Sequence, residues 1–199
     1  MTRVTAVAAL TLCSILLLAG LATAADLAPV SAAEAEKRAA ESRDALTEML
    51  WVGMDPLWHE GKGDECVRLS REIIGIDPHF VEAYTGAAWL LWSAKRDEEA
   101  TALYQQGLAA NPDSPDLYFD FGFFLRDRKK YDQAIAMFRK ANETGIIQAK
   151  RHMLPNTLEE AGHKREALAE WRALLKRFPG DPVAKMKAAR LAQELKQQQ

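Results

Sequence analysis

Residues 118–141, Tyr118 to Ala141, read YFDFGFFLRDRKKYDQAIAMFRKA, and this stretch decides the fold. Tyr118, Phe121, Gly122 and Leu125 follow the i, i+3, i+4, i+7 spacing that puts side chains on one face of a helix. After a polar turn a second stripe runs through Tyr131, Ala134, Phe138 and Ala141. The same pattern stands in the stretch before it: Tyr84, Ala87, Ala88 and Leu91, the turn Lys95-Arg96-Asp97, then Ala100, Leu103, Tyr104, Gly107 and Leu108. The unit is a helix, a turn and a helix.

Working outward, four copies align. Leu57, Leu91, Leu125 and Leu158 recur with a period of about 34 residues, the last interval being one shorter, and Cys66, Ala100, Ala134 and Ala167 keep that spacing. A further column holds Ser70, Tyr104, Phe138 and Trp171, and a last one holds Pro78, Pro112, Ile146 and Pro179. The missing residue falls in the turn Asn142 to Gln148, where Gly145 supplies the break. A small residue in the second column lets two helix backbones approach, and an aromatic four residues later fills the gap to the next unit. The proline cannot continue a helix and sends the chain into the next copy.

These columns resemble the tetratricopeptide repeat over residues 47–181, in copies 47–80, 81–114, 115–147 and 148–181. The resemblance implies an all-α solenoid of about four helix–turn–helix pairs. The fourth copy departs from the pattern, with Arg151 in an aromatic slot and Pro155 inside its first helix; the first carries Pro56 and Ser70. Residues 25–46 read as an N-terminal helical extension opened by a capping box, Ser31-Ala-Ala-Glu34. Residues 182–199 read as a C-terminal capping helix with Ala184, Ala188, Leu191 and Leu195 on one face and charges elsewhere, the polar-backed lid an open stack needs.

The chain has 199 residues, 48% of them hydrophobic, enough for a real core. Alanine and leucine number 34 and 24, against 23 for valine, isoleucine and threonine together, which disfavours an all-β fold. With 26 basic and 28 acidic side chains the net charge is −2, so no field attracts nucleic acid or anionic lipid. Val4 to Ala25 is free of charge and leucine-rich, and ends in Ala22-x-Ala24. Residues 1–24 therefore read as a secretory signal cleaved before Ala25, with an uncleaved membrane anchor as the rival reading. Its removal leaves Cys66 as the only cysteine, so the fold must hold by packing without an internal disulfide.

Signatures of phosphate cradles, acyl-transfer elbows and zincin metal sites are lacking. No two of His59, His79, His152 and His163 stand three or four residues apart, and Cys66 in the small-residue column reads as a buried filler. Neither a catalytic centre, a metal nor a cofactor is expected. Acidic pairs such as Asp64-Glu65, Glu98-Glu99 and Glu159-Glu160 sit beside turns and read as a solvated rim.

Each first helix has a second face, about 100° from the packing stripe. It shows Trp51, Asp55 and Trp58; then Thr85, Trp89 and Trp92; then Phe119, Phe123 and Arg126; then His152, Asn156 and Glu159. In the tetratricopeptide family this face looks into a concave groove, so the resemblance implies an aromatic cradle with a polar end, where a segment of another protein stacks. The alternative is that these rings are core, packed on each other or under the N-terminal helix. In function the sequence points to a non-enzymatic interaction scaffold or assembly adaptor, exported to the periplasm or cell exterior, with no membrane contact after cleavage. The runner-up is a binding protein for a small apolar molecule or sugar.

Overall fold

The computed structural model describes residues 31–145 and 150–197; the expected signal and cleavage site lie outside them. The described residues are helical with short turns, and none is in a strand. Two compact units divide the chain, Met1–Ala45 and Leu46–Gln199. In the first, Ser31 opens helix α1 (Ala32–Gly53), its Oγ accepting from the Glu34 amide at 3.1 Å. The Glu34 side chain takes an ion pair with Arg38 instead of completing the capping box.

The second unit holds the end of α1 and then α2 (Asp55–His59), α3 (Gly63–Ile76), α4 (Val81–Ser93), α5 (Asp97–Ala110), α6 (Pro115–Asp127), α7 (Tyr131–Thr144), α8 (Met153–Glu160), α9 (Lys164–Arg177) and α10 (Pro182–Gln197). Each helix packs on the next from α2 onward, and α4 also meets α6, the arrangement of stacked helix pairs.

The turn inside each pair is the same device four times over. Gly61, Lys95, Lys129 and Gly162 take left-handed backbone, with φ of 73°, 64°, 58° and 83°. Their amides bond to Trp58, Trp92, Arg126 and Glu159 carbonyls. The next amides, of Lys62, Arg96, Lys130 and His163, reach back to the carbonyls of Leu57, Leu91, Leu125 and Leu158 at 2.8–2.9 Å. This is the Schellman cap, which satisfies the last carbonyls of the first helix and aims the chain back along it. The leucine column is thus both a packing position and the acceptor that closes the turn.

The columns read from the sequence form the core. Cys66, Ala100, Ala134 and Ala167 are all buried, as are Ser70, Tyr104, Phe138 and Trp171. Ser70 stands where the later copies place an aromatic, and its hydroxyl meets the Met54 sulfur at 3.6 Å. Gly107 and Gly122 allow close approach: a Cβ at Gly122 would lie 2.9 Å from the Phe138 ring. Burial pushes the Cys66 thiol pKa up, which disfavours the thiolate.

Both prolines of concern occupy tolerated places. Pro56 sits in the first turn of α2, just after the helix breaks at Met54, and Pro155 is the third residue of the short α8. First-turn residues have no intrahelical acceptor for their amides, so a proline there forfeits no hydrogen bond. The fourth copy accommodates Pro155 by starting its first helix late.

The acidic residues beside the turns lie on the rim, most of them exposed and Glu159 largely covered, and several take ion pairs there. Arg96 bridges Asp64 of the preceding repeat at 2.5 Å and its own Glu99 at 2.7 Å. Arg71 also reaches Glu99, and these two guanidiniums, Arg96 foremost, bring the Glu99 carboxyl down to about 2. Arg128 grips Asp97, Arg139 meets Glu166, and Lys164 meets Glu194, each pair joining neighbouring units of the stack.

Candidate functional site

Five of the aromatic side chains expected on the groove face come together. Trp58 of α2 and Trp89 of α4 stack with ring centroids 5.3 Å apart and planes 26° apart, yet each remains 46% exposed. Two rings that cover each other and still face solvent this widely form a surface. Trp92 lies one turn further along α4, its ring 5.8 Å from Phe123 of α6, which is 37% exposed. Trp51 closes the other end, edge-on to Phe80 at 5.4 Å and over Gly86, where a Cβ would lie 3.5 Å from its ring.

Between these rings run two open clefts. The larger, of about 790 Å³, lies between Trp51, Asp55, Trp58 and Leu90, with Met54, Cys66 and Ser70 among its lining residues. The smaller, of about 270 Å³, lies between Trp58, Trp89, Trp92 and Phe123 and includes Thr85, Tyr104 and Asp120. Trp58 and Gly86 line both, so the clefts adjoin along one trough. Helical spacing and the repeat period together put these residues on one side: Trp58 and Trp92 stand one full period apart in successive first helices.

The remaining expected groove residues go elsewhere. Phe119 is only 8% exposed; its ring packs against Phe138 at 5.5 Å, and Lys150 covers it at 4.3 Å from the centroid. Arg126 is engaged by Glu160, Nε to Oε2 at 2.7 Å, and pins the third repeat to the fourth. His152 Nε2 stands 2.7 Å from an Asp181 oxygen, with its ring on Trp171. Glu159 accepts from the Trp171 indole at 2.8 Å and pairs with Lys187 and Arg190, fastening the capping helix α10. Asn156 is partly buried and lines neither cleft. The polar end expected at the third and fourth copies is therefore structural, because its charges face one another across successive helices. Asp55 does line the larger cleft, with His59 3.5 Å away.

The sequence reading missed Asp120 and Gly86. Both were legible as anomalies: Asp120 is the one charge between Asp116 and Arg126, and Gly86 occupies the equivalent position one period before it, on the preceding first helix. Among the described residues no group of three histidine, cysteine, aspartate or glutamate side chains is arranged to hold a metal ion.

A stack of helix pairs with paired turn caps defines a helical-repeat protein. Family models described as tetratricopeptide repeat match residues 57–121 and 115–144, and the chain is a tetratricopeptide repeat protein. A search of curated proteins gives no match.

Among solved structures, the fold is similar to that of PilF from Pseudomonas aeruginosa, with a TM-score of 0.59 and 17% identity over 80% of this chain and 71% of that one. MamA gives a TM-score of 0.59 at 16% identity, covering 74% of this chain and 81% of that one. YrrB, described as a TPR protein with an unusual peptide-binding site, gives 0.55 at 20% identity over 71% and 74%. At these identities the likeness is one of fold. Family and fold together support a protein–protein interaction scaffold.

Proposed function

We propose that the chain is a non-enzymatic scaffold that docks a segment of a partner protein in its aromatic trough and works in the cell envelope after export. The observation that carries the docking reading is the Trp58–Trp89 stack, half-exposed on both rings and flanked by clefts on either side. Exposed tryptophans on a stable scaffold offer large apolar area at small entropic cost, the usual composition of a binding centre. Export rests on the charge-free segment Val4 to Ala25 and its Ala22-x-Ala24 exit.

The docking test is selection of random displayed peptides on the full chain, followed by titration of those recovered against the Trp58→Ala/Trp89→Ala variant. Peptides should be recovered and should lose roughly tenfold or more in affinity on the variant, while its unfolding midpoint stays close to that of the parent. Equal binding to the variant overturns the reading. For export, N-terminal sequencing of protein from its native source should begin at or near Ala25; an intact Met1 on membrane-extracted protein overturns cleavage.

A second reading draws on the larger cleft, whose volume of about 790 Å³ and apolar rings suit a small apolar molecule or sugar. It predicts a small molecule retained through native purification and released on denaturation.

A further inference from the structure

We infer that Asp120 makes the inner end of the trough a receptor for an arginine side chain of the docked segment, a specificity that rests on the docking reading above. Asp120 lies on α6 in the smaller cleft, in the company of Trp92, Tyr104 and Phe123, with Gly86 leaving the facing wall low. It is partly buried, and among the described residues no cation reaches it within ion-pair distance. Lys150, whose charge acts on it, is held by Asp116 at 2.7 Å. Burial pushes the Asp120 carboxyl above the usual aspartate range, against the partial pull of Lys150, so this carboxylate is short of a partner.

That the partner is a cation can be read from the rest of the fold, which builds one arrangement three times. Asp116 and Phe119 hold Lys150 between them, 2.7 Å from the carboxylate and 4.3 Å over the ring. Asp97 and Trp92 hold Arg128, at 2.6 Å from the carboxylate and 5.8 Å from the ring centroid. Asp181 and Phe178 hold Arg151, at 2.7 Å and 5.0 Å. Asp120 and Phe123 repeat the Asp116 and Phe119 pair one helical turn further on, on the open side of α6, where no described side chain of this protein supplies the cation.

A flat guanidinium fits this place best. It lies against an aromatic face, forks two N–H groups onto one carboxylate, and sheds water more readily than an ammonium does. The aliphatic stem of the arginine would run along the Trp58–Trp89 stack toward the larger cleft.

The test uses the peptides selected on the full chain, compared with peptides selected on Asp120→Asn, a nearly isosteric change that removes the charge. Arginine should be enriched at one position on the parent and not on the variant. In the parent, replacing that arginine by citrulline should cost about tenfold in affinity, and the same replacement should cost little on Asp120→Asn. The citrulline comparison on the unaltered chain decides the matter should the variant fail to fold. Peptides without arginine enrichment, or with equal losses on both proteins, overturn the arginine receptor and leave the docking reading standing. Enrichment of lysine overturns the guanidinium assignment, and recovery of no peptide at all overturns both readings.

Discussion

The Trp171 indole donates a hydrogen bond to Glu159 at 2.8 Å, and this bond separates the structural tryptophan from the other four. Trp171 of α9 is fully buried, and its N–H meets the carboxylate that also anchors Lys187 and Arg190. Trp58 and Trp89 have each other and solvent.

The contrast sets the first expectation. Trp171→Ala removes a whole buried ring and should cost about 3–5 kcal/mol, and Leu91→Ala, also buried, about 2–5 kcal/mol. Trp58→Ala/Trp89→Ala loses half-exposed area only and should cost far less than either. Urea unfolding of the three proteins side by side is the measurement. A double variant as unstable as Leu91→Ala would place the stacked rings in the core and remove the trough as a binding surface.

The turn column makes a second. Lys95 and Lys129 hold left-handed backbone that Gly61 and Gly162 hold in the outer repeats. Glycine reaches that region without a Cβ clash, so Lys95→Gly and Lys129→Gly should each raise stability by about 0.5–1 kcal/mol, even after the added entropy of the unfolded chain. Gly61→Ala should lower it by a similar amount, since nothing lies within 4 Å of its Cβ position and the backbone strain acts alone. Thermal melts that rank the variants the other way would refute this account of the turns.

Two helical glycines should respond in opposite directions. At Gly122 a Cβ would press to 2.9 Å from Phe138, and overpacking of about 1–3 kcal/mol outweighs the gain in helix propensity. At Gly86 the nearest atom is 3.5 Å away on Trp51, an ordinary contact, so alanine should stabilise α4 by up to about 1 kcal/mol while narrowing the trough. Chemical denaturation of Gly122→Ala and Gly86→Ala reads both signs.

Asp181 predicts acid lability at the C-terminal cap. His152, the Ala184 amide and Arg151 hold its carboxyl well below the usual aspartate range, despite burial that pulls the other way. A carboxyl depressed in the folded state stabilises fully above the unfolded aspartate value near 4, and the contribution is lost as pH falls toward the folded value. Asp181→Asn should therefore unfold more readily than the parent at pH 7, and the difference should shrink by pH 3. A gap that widens on acidification would contradict the linkage.

The repeat was legible because each packing column is decided by neighbours at fixed sequence distance. Leu91 needs only its own turn and the adjoining helix to be a core residue, and the same holds one period further on at Leu125. Trp58, Trp89, Trp92 and Phe123 were legible on the groove face for the same reason. What periodicity does not carry is the reach of one long side chain into the next unit. Phe119 and Asp120 are neighbours in the chain; Phe138 and Lys150 take up the first, and the second is left facing the smaller cleft. Arg126 and Glu159, expected at the polar end of the cradle, are spent on Glu160 and on Trp171 with Arg190. Sequence alone determined the helix pairs, their period and their small, aromatic and leucine columns, because those follow from local spacing. Tertiary structure decided which polar groups are left for a partner, because an ion pair or a ring contact forms only where two separate helices bring its halves together.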